Sequence, residues 1–290
     1  MEIKRNELGT YFYFKCKNDF KKGTIVFIHG WGTNSEYHNN FIKYIENEYD
    51  YIAIQLPGFG VQEWDKNNKK PNTFDLFLYC INLLREINLD KFYLIGHSMG
   101  GGIAIKIANI FRKNVVGLIL VTPTNSKMKP KWKLINKKYK LKTFKQYFKW
   151  LNLIYSDLLK TFENDHEKIK QLIIDGLKFQ KENGNLMWKI KKSIYSYKNS
   201  KQLKNNESQI ECPTLVLAGK YDKIINPKSL FKTFGEKQIE NLDENKALIK
   251  IELMDKSAHM PFHEQEKEYV KEIKDFIKQI NMNKKITSIF

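Results

Sequence analysis

Three residues in this chain have the chemical types of a nucleophile, an acid and a base, and each lies in a turn marked by glycine or proline. Ser98 sits in Gly96-His97-Ser98-Met99-Gly100, Asp222 closes Gly219-Lys220-Tyr221-Asp222, and His259 sits in Ser257-Ala258-His259-Met260-Pro261. A serine hydroxyl, an imidazole and a carboxylate acting together perform nucleophilic acyl transfer. The imidazole takes the hydroxyl proton, and the carboxylate fixes the ring's tautomer and stabilises its cation.

The glycines around Ser98 have a steric reason. A strand that turns at once into a helix strains the residue between them, and the positions two before and two after it approach so closely that side chains would clash. Gly96 and Gly100 fill those positions, with YLI before them and GGIAI after them supplying strand and helix. A G-x-S-x-G pattern arises by chance in a chain of this length on the order of one time in ten, so the flanking context decides. The turn lifts the Ser98 hydroxyl to a helix start, where N–H groups lack helical partners. A tetrahedral oxyanion needs two such donors. Met99 N–H is one candidate, and Trp31 N–H in His29-Gly30-Trp31-Gly32 is the other; a glycine turn with a packed indole is the plain alternative.

Asp222 has rivals in Asp243 and Asp255, neither of which closes a strand so cleanly, and a turn-capping aspartate would look the same. His263 rivals His259 but falls where a helix should begin. His97 is expected to point away from Ser98, His29 to be structural in its turn, and His38 and His166 lack strand context.

The elements that would position these residues alternate. Apolar runs rich in β-branched and aromatic residues at 24–30, 49–60, 91–98, 115–123, 213–222 and 248–259 predict strands buried on both faces. Helical stretches fall at 73–88, with Thr73 as N-cap, after Ser98, and at 266–280. Residues 5–16 predict an antiparallel edge strand, and the tail after 281 a peripheral extension. This is an α/β pattern, a doubly wound, mostly parallel sheet. From about 127 to 206 no strand pattern occurs, while 143–162 and 166–179 carry helical periods. The expected organisation is a core from 1–126 and 207–290 with a helical cap, 127–206, inserted between two strands. Apolar stripes in that cap suit helix packing or the lining of an acyl pocket.

The chain has 290 residues, 42% hydrophobic and 13% aromatic, enough for a substantial core. Its net charge of +18 is regional. Residues 127–206 hold 21 of the 50 Lys and Arg against 6 of the 32 Asp and Glu, leaving 29 basic and 26 acidic residues elsewhere. A solvated basic face, contact with anionic lipid, or selection of an anionic substrate are the readings of that excess. No nucleic-acid motif accompanies it, and no nucleic acid is expected as partner. Cys16, Cys80 and Cys212 are odd in number and widely spaced, predicting reduced thiols without a metal site. The charged N-terminus and the lack of a long apolar run predict a cytoplasmic protein without leader or membrane span.

Taken together, HGWG (29–32), LPGFG (56–60), GHSMGG (96–101), GKYD (219–222) and SAHMP (257–261) resemble the serine hydrolases of the α/β-hydrolase fold, of the esterase and monoacylglycerol-lipase-like kind. The resemblance covers about 24–275. It implies Ser98 as nucleophile, Asp222 as acid, His259 as base, and Trp31 and Met99 as oxyanion donors. It implies cleavage of a small acyl ester through an acyl-enzyme, without metal or organic cofactor. Thioesterase, peptidase, carbon–carbon hydrolase and acyltransferase activities share the scaffold, as does a non-catalytic ligand- or membrane-binding relative. One departure is Gln55, where the family often has an acid.

Overall fold

A computed structural model of the chain describes residues 2–5, 9–59, 73–125, 206–235 and 249–287. Its strands are β1 (Glu2–Arg5), β2 (Thr10–Phe14), β3 (Gly23–Ile28), β4 (Tyr49–Ile54), β5 (Phe92–His97), β6 (Val115–Val121), β7 (Thr214–Gly219) and β8 (Ile249–Met254). They form one sheet in the order β1-β2-β4-β3-β5-β6-β7-β8. From β4 to β8 every pairing is parallel; β1 and β2 are antiparallel additions beyond β4. The chain runs outward from β3 to β4, then crosses back to place β5 on the other side of β3. That reversal opens a crevice at the C-terminal ends of β3 and β5, the usual ligand position in such sheets.

Helices cover both faces, which is why the strands carry apolar residues at successive positions. Val26, Ile28, Leu94, Leu118, Leu120 and Val216 pack with α2 (Thr73–Ile87), α3 (Met99–Ile110) and α4 (Pro227–Phe234). The alternate residues Ile25, Phe27, Ile95, Ile119 and Leu215 face α1 (Ile42–Ile45), a one-turn helix α5 (Pro261–Glu264) and the long α6 (Glu266–Thr287). Each such side chain, fully buried, contributes roughly 1.5–3 kcal/mol. Cys16, Cys80 and Cys212 are buried, unbridged thiols. Among the described residues no helix is long and apolar enough to cross a membrane.

The doubly wound sheet expected from the sequence is thus present, with two differences. The run 5–16 does supply an antiparallel strand, β2, but the edge belongs to β1, whose EIKR sequence is exposed throughout. The segment after 281, expected as a peripheral extension, continues α6 as far as Thr287. Tyr93 donates its hydroxyl proton to Asn281 Oδ1 at 2.8 Å and ties this part of α6 to β5. Thr73 is the first helical residue of α2, and its capping role rests on residue 72, outside the described residues. The cap assigned to 127–206, with its helical periods and basic excess, also lies outside them, apart from Asn206, which opens the 3-10 turn Asn206–Gln209.

One polar network crosses the apolar layer beneath α6. His38, in the 3-10 turn Ser35–Phe41, stacks on Phe27 at 4.3 Å and Phe41 at 4.7 Å. Its ring nitrogens meet Tyr51 Oη at 2.8 Å and Tyr269 Oη at 2.7 Å. Tyr269→Phe removes one partner and leaves a buried ring nitrogen unpaired, at a cost of about 1–3 kcal/mol. Urea denaturation of this variant should show that loss, with the native sheet retained by circular dichroism.

Candidate active site

Ser98 links β5 to α3 with φ 51° and ψ −115°, a left-handed conformation that costs a non-glycine residue about 1–3 kcal/mol. The surroundings hold it there. The Ser98 carbonyl accepts N–H groups from Gly101 (3.0 Å), Gly102 (3.3 Å) and Thr124 (2.9 Å). A methyl group at Gly96 would lie 2.6 Å from the Gly100 carbonyl oxygen and 2.7 Å from Ala104 Cβ. One at Gly100 would overlap the main-chain carbonyls of Ile28 and His29, at the end of β3. The two glycines therefore let the first turn of α3 rest directly on the neighbouring strand. Gly101 and Gly102 approach Pro123 and Thr124, just beyond β6.

Two loops from the far side of the sheet meet this turn. Asp222 follows β7, and His259 follows β8. His259 Nδ1 is 2.7 Å from Asp222 Oδ2, and His259 Nε2 is 3.0 Å from Ser98 Oγ. All three residues are buried. An ionised carboxylate only accepts, so Nδ1 carries the ring proton, and the bare Nε2 accepts from the serine hydroxyl. Asp222 also caps its own turn. Its Oδ1 accepts the N–H groups of Ile224 (2.7 Å) and Ile225 (2.8 Å), which orients Oδ2 toward the imidazole. Asp255 instead accepts from Gln265 Nε2 at 2.9 Å on the surface, and Asp243 lies outside the described residues. His263 lies within α5, its ring 6.1 Å from that of Tyr37.

The loop after β3 runs alongside. A methyl group built on Gly30 would lie 3.1 Å from Ser98 Cβ, so the segment carrying Trp31 abuts the serine. Met99 opens α3 beside it, where its N–H has no helical acceptor. His29 fastens this loop to the one after β4. Leu56 N–H donates to His29 Nε2 at 3.1 Å, so Nδ1 carries the proton and donates to the Gly30 carbonyl at 2.8 Å. Gln55, the departure noted in the sequence, serves the same loop: its Oε1 accepts from Ser35 Oγ at 2.7 Å and Ser35 N at 3.3 Å.

Two residues make contacts with His259 that the sequence did not show. His97 does turn away from Ser98, yet its ring packs 5.0 Å from that of His259, and its Nε2–H donates to the His259 carbonyl at 2.9 Å. Thr122, held at φ 42°, donates its hydroxyl proton to the same carbonyl at 3.1 Å. Neither has a local signature, because each acts on a main-chain atom far away in sequence. Among the described residues, no group of His, Cys, Asp and Glu has the arrangement of a metal site.

Comparison with known proteins identifies a family of hydrolases. The family model for serine aminopeptidase, S33, matches residues 20–266. The chain is 29% identical over 276 residues to the pimeloyl-[acyl-carrier protein] methyl ester esterase of Wigglesworthia glossinidia brevipalpis, covering 89% of this chain and 94% of that one. It is 27% identical over 288 residues to an esterase/lipase-named protein of Mycoplasma genitalium, covering 95% and 97%. The solved structure of MenH from S. aureus superposes with a TM-score of 0.66 at 22% identity, covering 93% of this chain and 98% of that one.

Two outcomes follow from the site's packing. Gly100→Ala forces α3 away from β3 and should lower the thermal midpoint by several degrees, because it drives a methyl group into main-chain atoms. Burial also lowers the pKa of His29 to about 4, despite the Gly30 hydrogen bond, and burial holds His38 and His97 well below 6.5. Folded, these rings stay neutral as pH falls past 6.5, whereas the unfolded chain takes up the protons. Their contribution to stability is therefore complete above pH 6.5 and is lost as pH falls, for His29 down to about 4. Each ring's slope approaches about 1.4 kcal/mol per pH unit. Urea midpoints at pH 7.5, 6 and 5 should fall accordingly, and His29→Gln should remove one ring's share of the slope.

Proposed function

The chain belongs to the serine aminopeptidase, S33, family of hydrolases, and we propose that it cleaves carboxylic esters by acyl transfer through Ser98. The observation that carries this reading is the hydrogen-bond chain from Ser98 Oγ through His259 to Asp222, at the C-terminal ends of parallel strands. As Ser98 attacks the acyl carbonyl, its proton passes to His259 Nε2, and the imidazolium that forms lies against the Asp222 carboxylate. The N–H groups of Met99 and Trp31 receive the oxyanion. His259 then protonates the departing alcohol, takes a proton from the water that attacks the acyl-enzyme, and returns it to Ser98 Oγ as the acid leaves.

The preference for esters is supported by the two bacterial relatives, which are named as esterases or as esterase/lipase. The first of them also suggests a substrate form, the methyl ester of a carboxylated acyl chain. The family's description favours a second reading, release of an N-terminal residue from a peptide, since the same acyl transfer serves amides.

A series of p-nitrophenyl esters from two to sixteen carbons, monomethyl pimelate and aminoacyl p-nitroanilides separates these readings. Ester turnover is expected, with Ser98→Ala lowering kcat by about 10⁴-fold or more. Full turnover by Ser98→Ala overturns the proposal, and turnover of the anilides alone favours the second reading.

A further inference from the structure

The imidazole of His259 has a partner at each nitrogen, but those bonds form only if the main chain beneath the ring is already in place. That main chain follows an edge strand and has no ladder of its own. After Met254, Tyr221 N–H donates to the Ser257 carbonyl at 2.9 Å, and Ser257 N–H turns back to the Met254 carbonyl at 3.3 Å. At residues 258–260 side chains take over. The Glu264 carboxylate oxygen Oε2 accepts Ala258 N–H at 2.6 Å, Met260 N–H at 3.2 Å and Ser257 Oγ–H at 2.8 Å. On the opposite side, His97 and Thr122 hold the His259 carbonyl. The residues before and after the base are thus anchored through their N–H groups by one carboxylate, and the base itself through its carbonyl by two donors.

We propose that Glu264 is a positioning residue for the general base, fixing the 257–260 loop so that His259 meets Ser98 and Asp222 together. The inference rests on the proposed role of His259. Pro261 at the first position of α5 starts the single turn that returns Glu264 to the loop. A capping-box carboxylate reaches back to the N–H of its helix's N-cap residue, as Glu264 does to Met260. Glu264 reaches past α5 to Ala258 and Ser257, on the near side of the base. Burial raises its pKa, the three donors oppose that shift, and the charge of Asp222 adds to it. The loop thus keeps a carboxylate in an unfavourable electrostatic setting. Its three simultaneous contacts provide the geometric compensation.

The test compares Glu264→Ala, Glu264→Asp and Glu264→Gln with the native enzyme and with Ser98→Ala. Misplacing a catalytic group by about 1 Å costs on the order of 10²-fold. Glu264→Ala should therefore lower kcat by about 10- to 100-fold with KM within about twofold. Glu264→Asp, one methylene short, should behave similarly and provides a second folded variant. Glu264→Gln keeps an oxygen that can accept the same three bonds, so it should recover at least about half of native kcat. The strongly deshielded His259 Nδ1 proton should be visible by proton NMR in the native chain, in Ser98→Ala and in Glu264→Gln, and broadened or lost in Glu264→Ala and Glu264→Asp. Native kcat and an unchanged resonance in both shortened variants would overturn the inference, as would a loss confined to KM. Retained turnover in Ser98→Ala would overturn the proposed function instead, while the resonance would still report whether Glu264 places the ring.

Discussion

The contact on which the rest depends is the seating of the first turn of α3 against the end of β3. Main chain meets main chain there, with Gly100 over the carbonyls of Ile28 and His29. Without that approach Ser98 would not stand at the switch in strand order, because β5 and β3 are the two strands that diverge from it. The strain at Ser98 is held by three N–H groups on its carbonyl, one from beyond β6. The elbow is therefore stabilised by the two strands flanking β5, and the crevice, the serine and the loop of Trp31 arise from one packing decision.

Burial alone does not make a histidine a base. His29, His38, His97 and His259 are all buried. The first three meet carbonyl, amide or hydroxyl groups, and burial lowers their pKa. His259 alone among these four rings faces a carboxylate, Asp222 at 2.7 Å. The same residue type is used as a neutral fastener in three places. In the fourth, the ring lies between a carboxylate and a serine hydroxyl, the arrangement on which the proposed proton transfer rests.

Much of this arrangement was legible in the sequence. The parallel strands announced themselves because each is buried on both faces and so must be apolar at successive positions, as in VVGLILV. That Ser98, Asp222 and His259 would meet was legible because acyl transfer of the proposed kind demands particular residue types in particular turns. The charged β1 was not, since an exposed edge strand has no apolar pattern to read. The polar links of His38 to Tyr51 and Tyr269 were hidden because the three residues come from separate elements. Thr122, His97 and Glu264 were missed for a related reason. Each acts on a backbone atom, and any residue supplies a backbone atom, so nothing in the partner's identity marks the pair.

The strand order also bears on when the site comes into existence during synthesis. From β5 onward the sheet grows outward in the order of translation, and Asp222 and His259 arrive with β7 and β8. A nascent chain that has emerged only through β6 can hold the serine, its elbow and the loop of Trp31, yet has neither partner for the hydroxyl. His259 follows the edge strand β8, the last strand to be added and, among the described residues, bounded by sheet on one side only. Such pairing across long sequence separations forms late and opens early. In the proposed reaction, competence is thus tied to completion of the fold, because an unfinished or partly opened chain holds Ser98 without Asp222 and His259.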